Sequence, residues 1–565
     1  MKSKKEYTNT IKNFFSSNAS PLKNSLPDFE LREEQAIMAQ AIVDSFLAKA
    51  ILIIEAGTGV GKSFSYLLPS FLLLANQKTK VVISTYTITL QEQLINKDIP
   101  LLQKVFDKKL NALLFKGREN YICLRKLQGA IIEEKQLSLS QEFSTELSKI
   151  AEWAQKTKDG SLSDLAYIPR KEFWNRIASR TSSCIGKECH YSSLCFFQKV
   201  KKKLAIADII IVNHHLLMAH TLLKAKKNSL LPEYDYLVID EAHCLEPVAS
   251  DYLGINLSYL DIEHFLDILY DYNKRTGFIV RFDADEIIGN VILLRNKVKK
   301  FFVKLQKLMG KDTMLRLYDA LYFHKTLIDD FLRLKEDIDY LERTTKDSDR
   351  IIDLSSYIKQ LSEIMETISS FCELKNQSFV YWLEKNAPNS KNLRLRSAPL
   401  SVAQGLTNYL FSEKKGTVLT SATLTVEKNF LYIKNRLGIE KAQELMLGSP
   451  YDFQNQMKIH ISQSVPDPKE KEQYIKGLEE KIVHYVKVTN GRAFVLFTNR
   501  SLMKQLYNTL NDVLAQSGLT VLIQGRDLPR DKLLKLFRKN TSSVLFGLTS
   551  FWMGVDIKGE RLIPK

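Results

Sequence analysis

Residues 51–74 constrain the fold more tightly than any other stretch. The apolar run Ile51–Glu55 leads into Ala56-Gly57-Thr58-Gly59-Val60-Gly61-Lys62-Ser63, and an apolar stretch begins at Phe64. The pattern predicts a short buried strand, a loop that glycine allows to curl, and a helix. In such a unit the loop N–H groups point inward and, with the positive end of the helix, make a cradle for phosphate oxygens. Lys62 is placed to reach the β- and γ-phosphates, and the Ser63 hydroxyl to ligate Mg²⁺. The strict pattern has glycine where Ala56 stands.

A phosphate loop does not by itself distinguish a kinase from a motor. Leu237-Val238-Ile239-Asp240-Glu241-Ala242-His243 is a second buried-strand run, and it ends in two adjacent acids. Alone, such acids read as surface charge. Paired with a phosphate loop, Asp240 is suited to hold Mg²⁺ through water and Glu241 to orient and deprotonate the attacking water. Val81–Ser84, Ala112–Phe115 and Ile209–Asn213 are similar runs, as buried parallel strands are. Strand-like runs return at Thr417–Thr420, Arg492–Phe497, Thr520–Ile523 and Ser543–Gly547, which predicts a second α/β unit. Between them, Leu327–Leu341 and Ile351–Ile368 carry apolar residues at helical spacing among many charges, the pattern of a separate helical module.

The chain has 565 residues, too many for one hydrophobic core. Its net charge of +17 fits a polyanionic partner, and fits equally a surface of solvated lysines. No signal peptide is visible, and no apolar stretch approaches the roughly 20 residues that cross a bilayer. A cytoplasmic, membrane-free location is therefore expected, where structural disulfides are rare. Of the six cysteines, Cys123 is followed by a C-x₄-C-x₅-C run of Cys184, Cys189 and Cys195. Four thiolates suit an iron–sulfur cluster, whereas structural zinc usually uses tight C-x₂-C pairs. Spacing alone leaves cluster, zinc and free thiols open; Cys244 and Cys372 read as structural. Lys199, Lys201, Lys202 and Lys203 with Phe196–Phe197 offer cations and aromatics for a single strand, or the Phe pair simply packs a small domain.

Asp240-Glu241-Ala242-His243 together with Gly61-Lys62-Ser63 resembles a superfamily 2 helicase. The likeness extends to Arg32 and Gln35 ahead of the loop, Ser84-Thr85-Tyr86-Thr87 with Leu90-Gln91, Val212-Asn213-His214-His215 and Leu419-Thr420-Ser421-Ala422-Thr423-Leu424. Gly448-Ser449-Pro450-Tyr451-Asp452-Phe453 and Phe551-Trp552-Met553-Gly554-Val555-Asp556 carry it further. Together these resemble the DinG/YoaA branch of XPD-like helicases, the YoaA type more closely, from about residue 28 to the end.

The resemblance implies an α/β fold of two RecA-like parallel-sheet motor domains with an iron–sulfur insertion and a helical arch. In this chain that assigns 1–115, 206–254 and 401–440 to the first motor domain, 116–205 to the cluster insertion, 255–400 to the arch and 441–565 to the second motor domain. It implies ATP contacts from Arg32, Gln35 and residues 56–63, hydrolysis through Lys62, Asp240, Glu241 and His243, and Mg²⁺ on Ser63 and Asp240. A [4Fe–4S] cluster on Cys123, Cys184, Cys189 and Cys195 is implied as well. The implied activity is ATP-dependent 5′→3′ unwinding in repair or replication, on single-stranded and forked DNA, alongside replication or repair proteins.

There are two departures from the family pattern. Met553 stands where the family has Glu, and the sequence stops at Lys565 before the family's Gln-x-x-Gly-Arg-x-x-Arg segment. The second motor domain is accordingly expected to be incomplete. The alternative expectation is an inactive remnant that binds ATP and single-stranded DNA. A small-molecule kinase would leave the second α/β unit and the cysteines unexplained.

Overall fold

The computed structural model describes residues 3–552, except 16–19, 24–29, 31, 138–140, 181–182, 185, 187–188, 226–227, 274, 414, 527 and 529. Met553 and the rest of its motif, Gly554-Val555-Asp556, lie outside the described residues.

Five strands come first: β1 (Ile51–Ala56), β2 (Val81–Thr85), β3 (Ala112–Leu114), β4 (Ile209–Asn213) and β5 (Tyr236–Asp240). Four follow between residues 255 and 400: β6 (Asn256–Ser258), β7 (Met314–Leu317), β8 (Phe379–Lys385) and β9 (Leu393–Pro399). The last five are β10 (Gly416–Ser421), β11 (Gln443–Leu447), β12 (Ala493–Leu496), β13 (Thr520–Ile523) and β14 (Ser543–Gly547).

The first sheet is parallel throughout, in the order β11-β1-β10-β5-β2-β4-β3. Helices cover both faces, so β2, β5 and β10 are buried along their whole lengths. Alternate residues feed two cores. Leu52, Ile54, Val81, Ile83, Val238 and Val418 pack under the helices Lys4–Phe15, Glu33–Ala48 and Lys62–Leu74. Ile53, Val82, Ile210, Leu237, Ile239 and Leu419 face the other way, toward the helices His214–Ala225 and Leu245–Leu253. The sheet runs on past the division drawn at residue 440, because β11 pairs with β1. With Gln443 and Glu444 exposed on this edge strand, no continuous apolar run announces it.

The described residues of 116–205 build no core of their own. Phe115, Tyr121, Ile150, Trp174, Phe196 and Phe197 join the second of the two sheet cores, so the Phe196–Phe197 pair packs the interior. Between 255 and 400, the helices Asp285–Met309, Lys325–Thr344 and Ser348–Cys372 share a core with an antiparallel sheet ordered β6-β9-β8-β7. The sequence reading of this region as helical missed that sheet. Its strands alternate, with Tyr381, Leu383, Leu393 and Leu395 inward, and the short period carries little signal among so many charges. The last unit is a parallel sheet, β12-β14-β13, with the helices Lys471–Val488, Arg500–Ala515 and Arg530–Lys539.

One ion pair ties two of these regions together. Arg125 donates twice to Asp353, Nη2 to Oδ1 at 2.8 Å and Nη1 to Oδ2 at 3.2 Å, and Nη2 also donates to the Ser183 carbonyl at 3.0 Å. Both side chains are largely buried. In a double-mutant cycle with Arg125→Ala, Asp353→Ala should reveal a coupling of about 1–2 kcal/mol. Amide exchange should rise in the helix Ser348–Cys372 and near Ser183 while β1–β5 stay protected; unchanged exchange would show that the regions dock without the pair.

Candidate nucleotide site

Because the strands of the first sheet are parallel, their carboxyl ends fall on one edge. Glu55 pairs with Ser421, Thr420 with Asp240, and Thr85 with Asn213. In open α/β sheets ligands bind outside this edge. Five of the sequence-derived segments end there.

The phosphate loop follows β1. Ala56 is the last, fully buried residue of the strand, so the curl begins after it and needs no glycine at this position. Gly59 and Gly61 have φ of 87° and 84°, the region that favours glycine. Their missing side chains also make room: a Cβ on Gly59 would collide with the Tyr451 ring, and one on Gly61 with the Gln35 amide. Arg32 Nη1 donates to the Gly59 carbonyl and Gln35 Nε2 to that of Gly61 at 3.2 Å. Both residues, expected to contact ATP, lie along the loop. Lys62 Nζ points back to the Ala56 carbonyl at 3.4 Å. The segment Gly448–Tyr451 covers the loop, with Ser449 Oγ donating to the Thr58 carbonyl at 3.2 Å.

Asp240 is 2% exposed. Its Oδ2 accepts from Tyr66 Oη at 3.1 Å and its Oδ1 from the Glu241 N–H at 3.0 Å. Burial, and then the Glu241 carboxylate, push its carboxyl up to about 7, against the pull of Lys62. Removing that carboxyl from water favours its neutral form until a cation arrives. Ser63 and Asp240 therefore offer a hydroxyl and a buried carboxylate beside a lysine, a donor set that fits Mg²⁺. Glu241 has φ of 54°, a left-handed conformation that a non-glycine residue keeps only where its surroundings hold it. Ser421 Oγ donates to Glu241 Oε2 at 3.1 Å and lies 2.7 Å from His243 Nδ1. His214, fully buried, places Nε2 3.4 Å from the Glu241 carbonyl and Nδ1 2.7 Å from Ser84 Oγ. Burial drives its imidazole down to about 4. His215, its sequence neighbour, is exposed.

Two participants escaped the sequence reading. One is Tyr66. The other is Glu55, whose Oε2 accepts from the N–H groups of Leu424 (2.6 Å) and Thr425 (2.7 Å) and whose Oε1 accepts from Thr425 Oγ1 (2.9 Å). Burial raises its carboxyl, but these three donors outweigh it and hold it below its ordinary value. Glu55 thus pins the turn after Ser421 to the strand that carries the phosphate loop. An acid one residue before the loop was the available signal.

The four candidate cysteine ligands are half-buried, and none is in a disulfide. Cys195 lies close enough to Cys123 to raise its thiol, beneath the larger effect of burial and against the pull of Lys126 and Arg125. Cys184 Sγ accepts from the Gly186 N–H at 3.4 Å. Cationic neighbours and an N–H···S bond suit thiolate ligation. Among the described residues, however, no three Cys, His, Asp or Glu side chains converge at metal-binding separation.

A parallel-sheet fold with a phosphate loop and a second α/β unit is the class this architecture defines, and comparison with known proteins narrows it. The family model for the helicase C-terminal domain matches residues 482–563. The ATP-dependent DNA helicase YoaA of Haemophilus influenzae is 32% identical over 563 residues, 99% of this chain and 84% of that protein. YoaA of Escherichia coli is 29% identical over 96% of this chain and 82% of its own length, and the ATP-dependent DNA helicase DinG of Photobacterium profundum 28% over 96% and 84%. Among solved structures, an XPD helicase covers 92% of this chain and 80% of its own with a TM-score of 0.50 at 14% identity, which shows a shared fold. The chain belongs to the YoaA/DinG family of ATP-dependent DNA helicases. Among the described residues, no helix is long and apolar enough to cross a membrane.

Two outcomes follow from the site's electrostatics. Glu55→Ala should release three donors, lower stability by roughly 2–4 kcal/mol, and raise amide exchange at Leu424 and Thr425; protected amides there would contradict the pinning. His214 takes up a proton near pH 4 when folded, against 6.5 as its ordinary value, so the unfolded chain protonates first as pH falls. Its contribution is complete above pH 6.5 and declines toward pH 4, by roughly 3 kcal/mol in all. The thermal midpoint of His214→Gln should accordingly depend less steeply on pH over this range than that of the parent; equal slopes would contradict the assignment.

Proposed function

We propose that this chain couples ATP hydrolysis to 5′→3′ movement along single-stranded DNA, opening forked DNA during repair or replication in the cytoplasm alongside proteins of those processes. The observation that carries this reading is the contact of Glu241 with Ser421 and His243, because it joins the residue suited to activate water to a neighbouring strand end. The direction of movement and the repair or replication setting are carried over from the XPD-like resemblance.

In this reading Lys62 and the loop N–H groups bind the β- and γ-phosphates, and Glu241 orients and deprotonates the attacking water. Ser63 and Asp240 hold Mg²⁺, which when bound neutralises charge on the phosphate oxygens. Residues 56–61 wrap the nucleotide, with Arg32 and Gln35 moving from the loop carbonyls to its base side. His243 and Ser421 keep the Glu241 carboxylate aimed. Residues 1–115, 206–254 and 401–440 form the first motor unit in this scheme, with β11 added to its sheet, and residues from about 448 onward form the second. Cys123, Cys184, Cys189 and Cys195 hold a [4Fe–4S] cluster in 116–205, and 255–400 serves as the arch beside the DNA path.

Purified without oxygen, the chain should hydrolyse ATP faster with single-stranded DNA, and Lys62→Ala should lower that rate about 10²-fold or more. Unchanged hydrolysis in the variant would remove the phosphate-loop assignment. DNA and nucleotide binding with no turnover in the parent would favour the binding remnant instead. Iron analysis should give about four irons per chain. Cys184→Ser should release them and leave nucleotide binding intact; full retention of iron would overturn the ligand set.

A further inference from the structure

Tyr66 lies one turn into the helix Lys62–Leu74 and is fully buried, yet its hydroxyl is directed at a side chain 174 positions away. Packing alone would be served by phenylalanine, which has the same shape and no polar atom to satisfy. A buried hydroxyl is costly unless bonded, and this one donates to Asp240 Oδ2 at 3.1 Å. Tyr66 therefore stands behind the carboxylate that the proposed function assigns to Mg²⁺. The Glu241 N–H holds Asp240 Oδ1 from the other side. Each carboxylate oxygen offers two acceptor directions, so both keep one free while the two donors hold the carboxylate's orientation.

We propose that Tyr66 is a positioning residue for the magnesium site: its hydroxyl fixes the Asp240 carboxylate in the orientation that receives the hydrated cation. It does not touch the metal, and its effect runs through Asp240. The inference rests on the reading of Lys62, Ser63 and Asp240 as a nucleotide–metal site.

The test measures cation binding rather than turnover. Mn²⁺ is titrated into the full chain with ADP, the free ion is followed by electron paramagnetic resonance, and ADP affinity without metal is measured alongside. Tyr66→Phe should weaken Mn²⁺ binding about 10-fold, within the range seen when partners behind metal ligands are removed. Metal-free ADP affinity should stay within about twofold, which also shows that the loop has folded. In an Asp240→Asn background, Tyr66→Phe should cause no further loss. Equal Mn²⁺ affinity in parent and Tyr66→Phe would overturn the proposal, as would a full additional loss in the Asp240→Asn background. Failure of the parent chain to bind ADP at all would instead overturn the nucleotide-site reading beneath it.

Discussion

The hydrogen bond from Ser421 to Glu241 depends on a constraint set by the whole first sheet. All seven of its strands are parallel, so every polar strand end emerges on the same edge. β10 lies between β1 and β5, which puts the Ser421 turn between the phosphate loop and the Asp240–Glu241 pair. One polar network can then span the edge: Glu55 to the Thr425 turn, Ser421 to Glu241 and His243, the Glu241 carbonyl to His214, and His214 to Ser84. In the low-dielectric setting of a buried edge such bonds reinforce one another, and a break in one is felt by its neighbours. Glu241, held at a positive φ in the middle of this network, is the residue best placed to register a shift in any of the surrounding turns.

The phosphate loop sits under a second constraint. Gly59 and Gly61 leave room that other parts of the chain fill, Tyr451 on one side and Gln35 on the other. Those contacts come from segments before and after the first sheet, so the loop is also where distant parts of the chain meet. In the proposed function a nucleotide in the cradle meets groups from both segments. Arg32, bonded to the Gly59 carbonyl and 6.0 Å from the Tyr451 ring centroid, belongs to this lining.

What could be read from the sequence was what is local. A buried parallel strand is a continuous apolar run, so β1, β2, β4, β5 and β10 were visible, as were the glycine loop after β1 and the acids after β5. The edge strands β11 and β7 were not: β11 begins with Gln443 and Glu444, and β7 exposes Met314 and Arg316, so neither carries a buried run. Partnerships across the chain were also beyond reach. Tyr66 read as one more apolar position in a helix and Glu55 as the polar end of a strand, because their partners lie 174 and 370 positions away. Arg32 and Gln35 were found by resemblance, but their bonds to the loop carbonyls were not foreseen. The Phe196–Phe197 pair, which the sequence left between base stacking and packing, lies in the interior, where Arg118 stacks 4.2 Å from the Phe197 ring centroid.

In the proposed function Ser421 links the Glu241 carboxylate to the rest of the strand-end network, so that nucleotide and DNA sense each other. The most direct measurement is the affinity of the chain for single-stranded DNA with and without a non-hydrolysable ATP analogue, in the parent and in Ser421→Ala. Coupling of this kind is typically about 5- to 150-fold. A nucleotide-dependent change of at least about 5-fold is expected in the parent, collapsing toward none in Ser421→Ala while each ligand alone binds as before. A parent whose DNA affinity ignores the nucleotide, or a Ser421→Ala chain with the full effect, would contradict it.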